Sequence, residues 1–154
     1  MSQPAGVIAR RSARAQSGDD PELLARMPSG HAVLGKQPRA LRGCCMLVPS
    51  EIVASPNDLT PEERAQFFSD LVLLGDAILE VTGAERINYL VLCNQAPELH
   101  GHCIPRFASE DRALRLLGPF EAYDFAAAPD ADALGADREL QRELQDALQR
   151  LLDR

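Results

Sequence analysis

Apolar positions along the chain follow two periods, and each marks its own elements. HAVLG at 31–35 and CCMLVP at 44–49 are continuous apolar runs of strand length, joined by KQPRALRG with Pro38 and Gly43 as turn residues. A hairpin or meander follows. In DLTPEERAQFFSDLVLLGDAILEVTGA the apolar residues Phe67, Leu71, Leu74, Ile78 and Val81 recur at spacings of three and four. Thr60 as N-cap, Pro61 behind it, Glu63 closing a capping box and Gly83 at the end predict a helix over 61–82. Its polar residues Arg64, Asp70, Asp76 and Glu80 fall on other faces, so its stripe should lie on a sheet. INYLVLC at 87–93 is rich in β-branched and aromatic residues, and the polar NQAPE separates it from HGHCIPRF, which predicts two adjacent antiparallel strands. PELLARM at 21–27 reads as a short helix started by Pro21 and stopped by PSG, and GPFEAYDFAAAPDADALGAD as loop. Leu140, Leu144, Leu148 and Leu151 form one narrow stripe of a helix over 137–154, suited to docking on the domain or on a partner chain. The order predicts an α+β domain: an antiparallel meander sheet with one long helix packed on it and a C-terminal helix.

Composition changes this picture at the edges. Residues 1–20 carry three arginines and no acid before Asp19, and are expected to form a flexible tail ahead of a single domain over 21–154. A formal net charge of -7 opposes attraction to nucleic-acid polymers and anionic membranes, while leaving room for a local pocket that takes a small anion. No stretch reaches the roughly 18 apolar residues of a membrane span, and the start lacks a signal-peptide core, so a cytoplasmic protein is expected. The four cysteines form no C-x-x-C pair and lie in or beside apolar runs, which predicts buried, reduced thiols. On a strand Cys44 and Cys45 would point to opposite faces.

The candidate chemistry sits in NQAPELHGHCIPRF, which holds two of the three histidines. If residues 98–104 are extended, Glu98, His100 and His102 share one face at roughly 6.6 to 6.8 Å per pair, and Leu99, Gly101 and Cys103 face the other way. Two imidazoles so placed can converge on a phosphate, one attacking phosphorus as a nucleophile and the other assisting at an oxygen. Gly101 between them admits close packing from behind. Spacing alone also allows two satisfied surface or core histidines, or a metal site joining them to Glu98 or a cysteine. The metal reading lacks recognisable third and fourth ligands and ranks below the nucleophile.

NYLVLCNQAPELHGHCIPRF resembles the signature of the histidine-triad (HIT) superfamily, H-x-H-x-H followed by two apolar residues and often Pro-Arg. In that alignment His102 is the third histidine, His100 the middle one, and Glu98 occupies the first position. RALRGCCMLVPSEIVASPNDLTPEERAQFFSDLVLLGDAI is similar to the superfamily's strand, loop and long helix in order, so the resemblance spans roughly 30–107. It implies a HIT-like meander fold, a homodimer, no cofactor, and a hydrolase or nucleotidyl transferase acting on a small nucleotide-like phosphate compound through a nucleotidyl-histidine intermediate. His100 would be the nucleophile, His102 would contact the phosphate and help the leaving group, and Asn94, Gln95 and Glu98 would lie on the substrate. The chain departs from the pattern at Glu98 and at Cys44, where many members carry a histidine. It lacks another common histidine near Ile52, and the 31–43 hairpin has no acid of the kind that often holds a ribose. His31 lies one strand too early to replace the missing histidines. Those departures leave a catalytically weak or inactive binding or dimer scaffold as the alternative.

Overall fold

The structure is a computed structural model that describes residues 6–154. In chain order it contains α1 (Val7–Ser17), β1 (Leu23–Met27), β2 (Gly30–Leu34), β3 (Cys45–Pro49), α2 (Pro61–Thr82), β4 (Arg86–Leu90), β5 (Gly101–Arg106), two single-turn helices α3 (Arg112–Arg115) and α4 (Pro119–Ala122), and α5 (Arg138–Leu152). The strands make one antiparallel sheet in the order β1-β2-β3-β5-β4. This is the expected α+β arrangement.

Helix α2 follows its sequence signals residue for residue. The Thr60 side chain accepts from the Glu63 N–H at 3.2 Å, the Glu63 carboxylate accepts from the Thr60 N–H at 2.8 Å, and Gly83 ends the helix in the left-handed conformation at φ 69. Phe67, Leu71, Leu74 and Ile78 are buried, each contributing about 1.5–3 kcal/mol over an exposed side chain. They meet Ala32 and Leu34 of β2, Cys45 and Leu47 of β3, and Cys103 of β5. Helix α5 docks on the same face through Leu140, Leu144 and Leu148, so its stripe serves this domain. Asp70, off the apolar stripe, is also buried: it accepts from the Ser29 N–H at 2.8 Å and from Gln66 at 2.7 Å, tying the helix to the β1–β2 turn.

Three other expectations are corrected. Residues 21–27 are not helical: Leu23–Met27 is a strand paired with β2, and Pro28–Ser29 is the hairpin turn between Met27 and Gly30. Seven residues are too few to hold a helix unaided, and pairing with an adjacent apolar strand wins. Residues 7–17 of the expected tail form α1, whose Ile8, Ser12 and Ala15 are buried; residues 1–5 of that tail lie outside the described residues. The strand expected over 87–93 ends at Leu90, because the next chain segment turns away: the Leu99 N–H donates to the Val53 carbonyl at 2.7 Å, and Cys93 takes φ 56, leaving 91–93 without a ladder.

The alternation of β5 decides where chemistry can sit. Gly101 and Cys103 face α2, and a β carbon at Gly101 would stand 2.6 Å from Leu71 Cδ1, so glycine lets the helix close onto this strand as the sequence suggested. His102, Ile104 and Arg106 therefore face away from α2. That second face is covered in two places, by α1 over Val33 and Val48 and by the 107–125 segment over Ile104 and Cys44.

Candidate functional site

His102 lies within β5, opposite Met46 of β3 on one side and Leu90 of β4 on the other. Met46 in turn pairs with Val33 of β2, so the imidazole stands in an apolar row across the sheet. Phe120 of α4 meets it edge-on, with ring centroids 5.3 Å apart, and Phe125 stacks edge-on behind Phe120 at 4.8 Å. Burial among these groups, and then the neighbouring His100, push the His102 pKa down to about 4, which makes the ring neutral at physiological pH.

His100 falls one residue before the strand begins, so the extended segment expected from 98 is shorter than anticipated. Its ring nevertheless turns to the same side: the two imidazole centroids are 4.9 Å apart, in an edge-to-face arrangement. His100 is buried, and its Nδ1 lies 2.8 Å from the carbonyl oxygen of Glu98. A carbonyl only accepts, so Nδ1 carries the proton and, in the neutral ring, Nε2 carries the lone pair. The two rings on one face are thus brought together as the sequence predicted.

The other proposed site residues are placed differently. The Glu98 carboxylate accepts from the Ala9 N–H of α1 at 2.9 Å, so this side chain is directed to a helix terminus. Asn94 and Gln95 are exposed in the bend after Cys93, and among the described residues neither is hydrogen-bonded to either ring. His31, in β2 opposite Val48, is buried with no hydrogen-bond partner on either nitrogen among the described residues; burial and then Arg26 lower its pKa, and it does not join the pair. Cys44 does lie on the histidine face, but burial raises its thiol to about 12 and Sγ donates to the Leu41 carbonyl at 3.1 Å, so it is no thiolate. Cys45 points to the opposite face, as adjacent strand residues must. Among the described residues no group of three or more His, Cys, Asp or Glu side chains is arranged to hold a metal ion.

Arg106, at the far end of β5, is an unanticipated builder of the site. It is 3% exposed and pairs with the buried Glu110 at 3.0 Å, while it also donates to Asn88 Oδ1 at 2.8 Å and to the carbonyls of Leu117 at 2.7 Å and Leu114 at 2.9 Å. Glu110 further accepts from the Phe107 N–H at 2.7 Å and the Tyr123 hydroxyl at 2.8 Å. Burial alone would raise the Glu110 pKa; the bonds from Arg106, Phe107 and Tyr123 outweigh it and hold the carboxyl below its ordinary value. This network folds the 107–123 segment against β5 and so brings Phe120 to His102. The sequence signal was GPFEAYDF, which gathers three aromatics of a chain with only five phenylalanines and two tyrosines.

Comparison with solved structures places the fold among known ones. The chain superposes on a histidine-triad protein from Sinorhizobium meliloti 1021 with a TM-score of 0.69 and 20% identity, covering 93% of this chain and 97% of that one. A histidine-triad protein from Bradyrhizobium japonicum gives a TM-score of 0.67 at 20% identity, covering 97% and 99%. A hypothetical histidine-triad nucleotide-binding protein from Sulfolobus tokodaii gives 0.67 at 14%, covering 91% of each chain. No protein family defined by sequence, and no curated protein, matches the chain. The fold is HIT-like. No helix among the described residues is long and apolar enough to cross a membrane.

Proposed function

We propose that the chain is a HIT-type nucleotide hydrolase or nucleotidyl transferase, cleaving a phosphoramidate or phosphoanhydride bond of a small nucleotide-like compound through a nucleotidyl-His100 intermediate. The observation that carries this reading is the 2.8 Å contact from His100 Nδ1 to the Glu98 carbonyl, which leaves Nε2 as the attacking atom on the face shared with His102. Nε2 bonds to phosphorus as the leaving group departs with the bond electrons, and water then displaces the histidine to release the nucleotide. His102, neutral when free, donates its single ring N–H to a phosphoryl oxygen; the negative charge of bound phosphate raises its pKa and readies it to protonate the departing amine or oxygen. The nucleotide-binding designation of the Sulfolobus tokodaii neighbour supports the substrate class. Of the residues the resemblance assigns to the substrate, Asn94 and Gln95, exposed in the bend after Cys93, remain proposed for that role, while the Glu98 carboxylate is taken up by α1.

The test is a panel of adenylyl amines and dinucleoside polyphosphates. Turnover is expected with the native chain and a loss on the order of 10³-fold or more in His100→Ala with the fold intact. Equal turnover in the variant overturns the role of His100, and binding without turnover across the panel gives the scaffold reading.

The expected homodimer is proposed at β4. This edge strand leaves Tyr89 40% exposed and its outer backbone groups unpaired, and the Tyr89 hydroxyl lies against Gly75 of α2, a helix whose Phe68 and Val72 are also exposed. Sedimentation should give a dimer that Phe68→Glu dissociates; a monomeric native chain removes the proposal.

A further inference from the structure

Helix α1 has no means of its own to complete its first turn. Its N-cap is Gly6, which offers no side chain, and no acidic residue stands in the first turn. The free N–H groups there need an acceptor and favour a negative charge. Glu98 supplies both from 89 residues away: its Oε2 accepts from the Ala9 N–H at 2.9 Å, and the carboxylate lies so close to Gly6 that a β carbon there would be 2.4 Å from Oε1. The rest of α1 is anchored to the sheet. Ile8 packs with Val33 and Val48, Ser12 donates to the Pro49 carbonyl at 3.1 Å, and Arg11 donates to Asp20 at 3.0 Å and to the Leu34 carbonyl at 2.9 Å.

The same residue governs His100. The Glu98 carbonyl is the partner of His100 Nδ1, and the next residue is fixed as well, with Leu99 buried and its N–H bonded to Val53. Glu98 is therefore held through its side chain by α1 on one side and through its successor by the core on the other. We propose that Glu98 is a positioning residue that makes α1 part of the site: its carboxylate fastens the first turn of the helix, and its carbonyl, held in place by that anchorage, keeps His100 in the tautomer whose Nε2 is free. An acid at the first triad position is thereby reconciled with a phosphate site, because its charge is answered by the helix terminus. This inference rests on the nucleophilic role given to His100 above, but its structural core is measurable without substrate.

The experiment is nitrogen-15 NMR of the histidine rings in the full chain, with amide exchange at Ala9, in the native protein and in Glu98→Ala, Glu98→Gln and Gly6→Ala. The native protein should show His100 in a single tautomer protonated at Nδ1. Glu98→Ala should give a mixture of tautomers and exchange Ala9 roughly fivefold faster, the loss typical of a removed N-terminal cap. Glu98→Gln keeps an acceptor oxygen and should restore the single tautomer. Gly6→Ala pushes the carboxylate away from the opposite side of the contact and should reproduce the mixture, which keeps the test decisive if Glu98→Ala fails to fold. A native tautomer and native Ala9 protection in Glu98→Ala or, where that variant is unfolded, in Gly6→Ala overturn the proposal. Absence of turnover by the native chain would strike the nucleophile reading alone, since the ring and amide measurements need no reaction.

Discussion

On the face toward α2 and α5 the sheet presents Ala32, Leu34, Cys45, Leu47 and Cys103 to two helices that carry matching apolar stripes. On the face toward the histidines the cover comes instead from two separate pieces, α1 at one side and the 107–125 segment at the other. Each piece is fastened by a charged residue of the same chain stretch: Glu98, four residues before His102, holds α1, and Arg106, four residues after it, holds the loops with Phe120. The core is thus secured by area removed from water, while the covers over the histidine face are fastened by a few directional bonds. Loss of one such bond displaces a whole wall.

The largest effect is expected at Arg106. Replacing it in Arg106→Leu leaves Glu110 buried without its cation, and unfolding in urea should show a loss of about 3–5 kcal/mol. The His102 ring signal should move as Phe120 leaves it. A loss below about 1 kcal/mol, with the His102 signal unmoved, would mean that the 107–125 cover stands on its apolar contacts alone.

A smaller effect should appear with pH. The His102 pKa is depressed on folding, so the unfolded chain binds more protons between its ordinary value near 6.5 and the folded value of about 4. Stability owed to the neutral ring is complete above pH 6.5 and declines as pH falls through that window. The native chain should lose on the order of 1–3 kcal/mol more than His102→Phe between pH 7 and pH 4. Parallel pH profiles in urea unfolding would show that burial costs the charged ring nothing. His31 shifts in the same direction in both proteins and cancels from the difference.

The two faces also differ in how far they could be read from the sequence. Helix α2 was legible because its cap, stripe and stop are all local, from Thr60 to Gly83. The β2–β3 hairpin and the orientation of His100 and His102 were legible for the same reason, since alternation is a property of neighbouring residues. Helix α1 was not, because Ile8 is the only large apolar side chain among its buried residues Ile8, Ser12 and Ala15, and its cap comes from the distant Glu98. β1 hid behind a proline that suits a helix start, and only pairing with β2 reveals it. The bonding of Arg106 and the place of Phe120, read as loop, were not legible, because both exist only once residues 107–123 fold back.

β5 is an interior strand, flanked by β3 and β4 and pressed from behind by Leu71 at Gly101. His102 lies within this strand and His100 directly before it, so both rings stand on backbone that has neighbours on three sides. The two bordering segments have no such backing from the sheet ladder, so a change of shape around the histidine pair begins at their fastenings, Glu98 and Arg106.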